Sequence, residues 1–170
     1  AENSILYYTK KSPADNIAGT IRKTRSDTIS KERSKPLHIV SCSFGKDSLA
    51  TILLALEHGE SLDEAVYCEV MFDKTISGEV PEHRDFIYHT AIPKLERMGV
   101  KVRVLCAEKT YVDLFTGTVT RGPKKGMLRA FPICGKCYVQ RDCKIKPICR
   151  YQKSLPADTM QYIGIAYDEQ

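Results

Sequence analysis

The chain has 170 residues, 42% of them hydrophobic, with a formal net charge of +5 and seven cysteines, which is the size and composition of one ordinary domain able to bury a core without covalent staples. No stretch approaches the roughly 18 consecutive apolar residues of a membrane span, and the N-terminus AENSILYYTKK lacks the charged-then-apolar pattern of a signal peptide. The expectation is therefore a cytosolic protein with no membrane partner, whose odd number of cysteines in a reducing compartment serve as thiols or metal ligands rather than disulfides.

Residues 1–35 are polar, basic and rich in Ser and Thr, and they read as a basic N-terminal arm ahead of a domain over residues 36–170. LHIVSCS (37–43) reads as a buried strand. After SFGKDS (43–48), Leu49, Ile52, Leu53 and Leu56 recur at helical spacing and predict one apolar helix face, ended by Gly59. AVYCEVMF (65–72) predicts a second strand, and PEHRDFIYHTAIPKLERMG (81–99) a helix interrupted near Pro93. VKVRVLC (100–106) predicts a third strand. Residues 107–143 lose all rhythm and predict a long irregular segment, rich in cysteine and basic residues. IKPICRYQK predicts a last helix beginning near Pro147. MQYIGIA (160–166) predicts a final strand, which carries Asp168 and Glu169 to its carboxyl end. Strands alternating with helices imply an α/β fold, an open and mainly parallel sheet with helices on both faces, whose ligands sit at the carboxyl ends of the strands.

SFGKDS stands where a strand turns into a helix. Such a turn aims backbone N–H groups and the positive helix end at one point, which suits an anion. Gly45 permits close approach of the backbone, Ser43 and Ser48 add hydroxyl donors, and Lys46 adds a compact charge. Asp47 repels phosphate unless a magnesium ion lies between them or the carboxylate holds the loop together. The same residue types also serve an ordinary capped helix start, so the loop chemistry alone leaves both readings open. It is not a Walker loop, because GxxxxGK[ST] is absent.

The loop resembles the PP-loop, commonly SGGxDS, of the adenine nucleotide alpha hydrolase-like superfamily. VSCSFGKDSLATILLALEHG looks like its phosphoadenosine phosphosulfate (PAPS) reductase family, and the resemblance runs from about Leu37 to Gln170. Glu79-Val80-Pro81-Glu82 resembles the family's ExPE segment and GIAYDEQ its GxAxDE. The family often continues beyond that pair with basic residues, which implies a domain truncated at its C-terminus. The resemblance implies a site for ATP, PAPS or adenosine phosphosulfate (APS), formed by Ser43, Phe44, Gly45, Lys46, Asp47 and Ser48, with Asp168 at the sheet end. It also implies sulfur transfer, or ATP cleavage between the α and β phosphates to activate a nucleic-acid or protein acceptor, with magnesium as companion ion and a homo-oligomer as one assembly. Lys46 and Asp47 then carry catalysis together with Lys144. Arg141 and Lys146 join Lys144 in neutralising a phosphosulfate or departing pyrophosphate. SFG looks like the sulfonucleotide reductases, and KDS like the ATP-cleaving members, among them the ATP sulfurylase small subunit. The reductases' cysteine-bearing ECGLH-like motif is absent, which counts against reduction of PAPS or APS by this chain alone. A third reading is a nucleotide-binding accessory module without turnover.

Cys134, Cys137, Cys143 and Cys149 form C-x2-C-x5-C-x5-C. Four thiolates so close can hold a [4Fe–4S] cluster or zinc, and DndC-type DNA phosphorothioation relatives are thought to carry a cluster in this region. Reactive thiols and inert cysteines are the alternatives. Cys42, Cys68 and Cys106 lie in strand-like runs and are expected in the core.

Overall fold

In the computed structural model, which describes residues 36–129 and 137–164, the apolar run after Pro36 forms the first strand, β1 (His38–Ser41). It leads through the SFGKDS turn into helix α1 (Lys46–Glu57). Strand β2 (Glu64–Glu69) is buried along its whole length, as a strand covered on both faces must be. Next come α2 (Pro81–Phe86) and α3 (Ile92–Arg97), joined by a π-helical segment over Ile87–Ala91, and then β3 (Lys101–Cys106). The short helix α4 (Tyr111–Phe115) follows. A second π-helical segment, Gln140–Ile145, runs into α5 (Lys146–Ser154), and β4 (Met160–Tyr162) completes the described sheet.

The strands stand in the order β3-β2-β1-β4, every neighbouring pair parallel. This is the expected α/β sheet, and side-chain alternation along the strands shows helices on both faces. One face presents Val40, Cys42, Ala65, Tyr67 and Tyr162 to a core completed by Ile52 of α1 and by Ile87, Ala91 and Leu95 of the α2–α3 arm. The opposite face presents Glu64, whose carboxylate accepts from Arg103 at 3.2 Å and from Tyr151 of α5. There Gln161 donates to Ser41 at 2.8 Å and accepts from Gln152 of α5 at 2.7 Å. The chain moves outward from β1 through β2 to β3, then returns past β1 to β4. Crossover handedness requires the helix of the return leg to lie on the other face, where α5 is found.

Both π segments precede a proline, Pro93 and Pro147, placed in the first two residues of the helix that follows. A proline inside a helix lacks its N–H, and its ring meets the carbonyl four residues back. Widening the preceding turn removes that collision. At the second site the carbonyl four residues back is that of Cys143, and it accepts instead from the Cys68 thiol at 3.4 Å. The helix interruption expected near Pro93 is thus a local widening rather than a break. The last helix, α5, begins beside Pro147 as expected and continues the π-helical segment before it.

Three expectations are corrected. Residues 107–143 are not uniformly irregular, because α4 is nucleated by a capping box in which Thr110 and Asp113 exchange side-chain and backbone bonds of 2.9 and 3.2 Å. A hairpin closed by the Thr118–Leu128 bridge follows. Leu53 is 49% exposed, while Thr51, Ile52 and Ala55 are buried; the exit of β4 packs beside Thr51 and rotates the buried face of α1 toward it. Cys106 is exposed, because β3 borders the described sheet, whereas Cys42 and Cys68 are buried as expected. The arm over residues 1–35 lies outside the described residues. Among the described residues no helix is long and apolar enough to cross a membrane.

Candidate functional site

The reversal of strand order between β1 and β4 creates a switch point, the position in an open parallel sheet where the loops leaving two adjacent strands diverge and leave a crevice. SFGKDS leaves β1 there. Gly45 is the N-cap of α1, with extended backbone and no side chain capping the helix end, so the first N–H groups of a twelve-residue helix face outward. Ser48 Oγ organises the turn. It donates to Gly45 O at 3.0 Å and accepts from Ser43 N at 3.3 Å, with Ser43 Oγ at 3.4 Å. Ser43, Lys46 and Asp47 are exposed, and neither Lys46 nor Asp47 forms an ion pair among the described residues.

Phe44 takes part in the turn through its backbone rather than its ring. Its backbone is left-handed, φ 57°, at the position where the SGGxDS pattern has glycine. Its side chain is 2% exposed and meets Tyr67 edge-on, ring centroids 5.1 Å apart. Only its backbone can face a ligand. Left-handed geometry costs a residue with a Cβ about 1–2 kcal/mol, and burying the ring returns about 1.5–3 kcal/mol, so packing holds the turn in a shape that glycine would adopt freely.

The chain leaving β4 closes on the same helix turn. A Cβ at Gly164 would stand 2.2 Å from Thr51 Oγ1 and 3.2 Å from Asp47 O, and Thr51 Oγ1 donates to that same carbonyl at 2.8 Å. Gly164, the first residue of the GIAYDEQ segment, therefore stands against the start of α1. Asp168, expected to contact the nucleotide, lies outside the described residues.

At the carboxyl end of β2, Glu69 is buried on the α2 side. It accepts from Tyr88 at 2.6 Å, Ser77 at 2.7 Å and Arg84 Nε at 2.9 Å. Burial raises its pKa, but these three bonds and the Arg84 charge outweigh burial and hold it below the ordinary carboxylate range. Arg84 and Tyr88, with Thr75, Ser77, Glu79 and His89, line a cavity of about 340 Å³, and Glu79 and Pro81 of the ExPE-like segment form part of its wall. Sequence reasoning found that segment but missed Glu69, Arg84 and Tyr88. The available signal was a carboxylate at the end of a buried strand, where it requires partners.

Two of the three expected charge clamps are already engaged. Arg141 holds Asp142 through both ends of its guanidinium, at 2.8 and 2.7 Å, and Lys146 reaches the same carboxylate at 2.7 Å. The Arg141 hydrogen bonds and, behind them, those of Lys146 overcome burial and drive the Asp142 pKa far below its usual range. Lys144 is exposed and pairs with no acid among the described residues. It lies near enough to Cys68 to favour that thiol's ionisation, although burial raises the Cys68 pKa to about 11.

The cysteine set is divided. Cys134 lies outside the described residues. Cys143 is buried and donates to Lys109 O at 3.1 Å, while Cys137 and Cys149 are exposed. Burial raises the pKa of Cys143, as it does that of Cys42, which makes both weak nucleophiles. Among the described residues no three His, Cys, Asp or Glu side chains form a group able to hold a metal ion. Cys143 is tied through its thiol to the segment after β3 and through its carbonyl to β2.

Comparison with protein-family models, with curated proteins and with solved structures found no match for this chain.

Proposed function

We propose that the chain binds an adenine nucleotide at the SFGKDS turn and acts as a PP-loop ATP pyrophosphatase of sulfur metabolism, in the manner of the PAPS reductase-like proteins its motifs resemble. The observation that carries this reading is the position of the turn, an uncapped helix start at the switch point of a parallel sheet. The left-handed Phe44 and the Gly164 contact support it, since each fits a piece of the PP-loop pattern in a separate part of the chain. In this reading the outward N–H groups of α1 and Lys46 hold the phosphates, and Asp47 would hold a magnesium ion, which would offset phosphate charge. An acceptor oxygen attacks the α-phosphorus, pyrophosphate departs with the bridging electron pair, and the activated acceptor is left ready for sulfur. The engagement of Arg141 and Lys146 by Asp142 favours one rival, a module that binds nucleotide without turnover, because it removes two charges expected to steady the leaving group.

Calorimetry with ATP, APS and PAPS, followed by a pyrophosphate-release assay, tests the reading. Lys46→Ala and Asp47→Asn should each weaken binding tenfold or more, because charge-assisted contacts are worth about 1.5–3 kcal/mol, while leaving the domain folded. Wild-type protein that binds none of the three nucleotides, or variants that bind as wild type does, would remove the turn from any nucleotide site. Binding without pyrophosphate release would select the module.

A further inference from the structure

From Leu114 to Arg141 the chain contains no acidic residue and six basic ones. Part of this stretch is a protruding finger. Thr118 pairs with Leu128, Val119 N donates to Met127 O at 2.8 Å, and Gly126 N returns to Val119 O at 2.9 Å. Gly122 and Gly126, at φ 82° and 86°, turn its tip. Residues 121–128 are all exposed, which puts Arg121, Lys124 and Lys125 in solvent beside Met127 and Leu128, 59% and 67% exposed. None of these three cations meets an acid among the described residues. A solvated charged loop does not need two large exposed apolar side chains along one of its strands, nor a run of cations without counter-charge.

The finger rises from an aromatic base. Phe72, which follows β2, stacks on Tyr111 of α4 at 5.3 Å and 15°, and Tyr111 stacks on Phe115 at 6.2 Å and 8°. Phe72 remains 45% exposed and Phe115 42% exposed. Where the finger ends, Arg129 lies over the Tyr138 ring at 5.9 Å and Arg141 over the same ring at 4.9 Å. These elements follow the carboxyl ends of β2 and β3, so they stand on the same edge of the sheet as SFGKDS.

We propose that this finger and its aromatic base form a binding surface for single-stranded nucleic acid, the finger cations meeting phosphates and the exposed rings stacking on bases. A single strand fits best because it alternates charge with unpaired π faces. An acidic peptide would use the cations and leave the rings idle, and a duplex would hide its bases from Phe72. The role of that strand as the acceptor activated at the nucleotide turn rests on the function proposed above; binding to the surface does not.

Fluorescence anisotropy of the full chain with a labelled mixed-sequence single strand, the matching duplex, polyglutamate and phosphatidylserine vesicles tests the inference across a salt series. The single strand should bind most tightly. Lys124→Ala/Lys125→Ala should weaken it and reduce the salt slope by about 1.4, two phosphate contacts on a single strand, and Phe72→Ala should weaken it with the slope unchanged. Circular dichroism confirms that each variant is folded, the finger side chains being outside the core. No binding of the single strand, equal or tighter binding of the duplex, polyglutamate or vesicles, or variants that bind as wild type does would each overturn the proposal. ATP calorimetry on the same samples separates the two readings. ATP binding without oligonucleotide binding defeats only the surface, and oligonucleotide binding without ATP binding supports the surface while removing the nucleotide turn.

Discussion

Two side chains at the carboxyl edge hold conformations that neither would adopt alone. Phe44 keeps a left-handed backbone because its ring is locked against Tyr67, which reverses the usual order of truncations. Phe44→Ala loses the ring and keeps the backbone strain, whereas Phe44→Gly loses the ring and sheds the strain. Both variants should be less stable than wild type, and Phe44→Gly should exceed Phe44→Ala by about 1 kcal/mol in urea unfolding; alanine equal to or better than glycine would show that the turn is unstrained. Glu69 is the second case, a buried carboxylate kept ionised by Tyr88, Ser77 and Arg84. Its folded-state pKa lies below that of the unfolded chain, about 4.3. The stabilisation is therefore complete above that value and is lost as pH falls through the lower folded-state value. Glu69→Gln should cost about 1–3 kcal/mol at neutral pH, and the gap from wild type should narrow on acidification, as read by denaturant titrations along a pH series. A gap that stays constant would deny the carboxylate its charge-dependent role.

Between elements, the contact that shapes the site is the one between the exit of β4 and the first turn of α1. Gly164→Ala places a methyl group against Thr51 Oγ1 and Asp47 O and should cost about 1–3 kcal/mol. In a Thr51→Ala background the nearest obstacle is gone, and the same substitution should cost measurably less, a coupling on the order of 1 kcal/mol in a double-mutant cycle. Equal costs in both backgrounds would place the strain elsewhere. This contact shows how far the sequence can be followed. The apolar runs of β1, β2 and β3 announce themselves, and so does the SFGKDS turn, because strands and strand-to-helix turns write their needs into neighbouring residues. The partner of Thr51 lies more than a hundred residues away and leaves no local trace, so periodicity offered Leu53 for burial where packing chose Thr51 and Ala55. The π segments are invisible to a 3.6-residue period, although Pro93 and Pro147 mark where each is needed. Helix α4 is too short to show a period, and only the Thr110–Asp113 spacing betrays it. Arg141 and Lys146 looked like free cations because residues up to 143 were expected to be irregular; once that stretch is helical, Asp142, next to Arg141 and four residues before Lys146, reaches both.

At the scale of the whole molecule, the proposed nucleotide site exists only when the sheet is assembled. The turn takes its shape from Phe44 seated in the core, from Ser48 bonded across it and from the β4 exit pressed on α1. An unfolded chain offers none of these together, so a nucleotide that binds there must stabilise the native state by mass action. At a hundredfold excess over Kd the gain is about 2.7 kcal/mol, which for a domain of this size raises Tm on the order of 10 °C. Thermal unfolding with ATP, APS, PAPS or inorganic phosphate should give a concentration-dependent rise for the preferred nucleotide and little for phosphate, whose single group leaves the rest of the crevice empty. Lys46→Ala, if it weakens binding tenfold, removes about 1.4 kcal/mol of that stabilisation at the same ligand concentration without lowering the Tm of the unliganded protein, because its side chain is exposed and unpaired among the described residues. A Tm indifferent to all three nucleotides would mean that the crevice between β1 and β4 is not where this chain holds them. A rise that survives Lys46→Ala undiminished would keep the nucleotide but move its phosphates away from the turn.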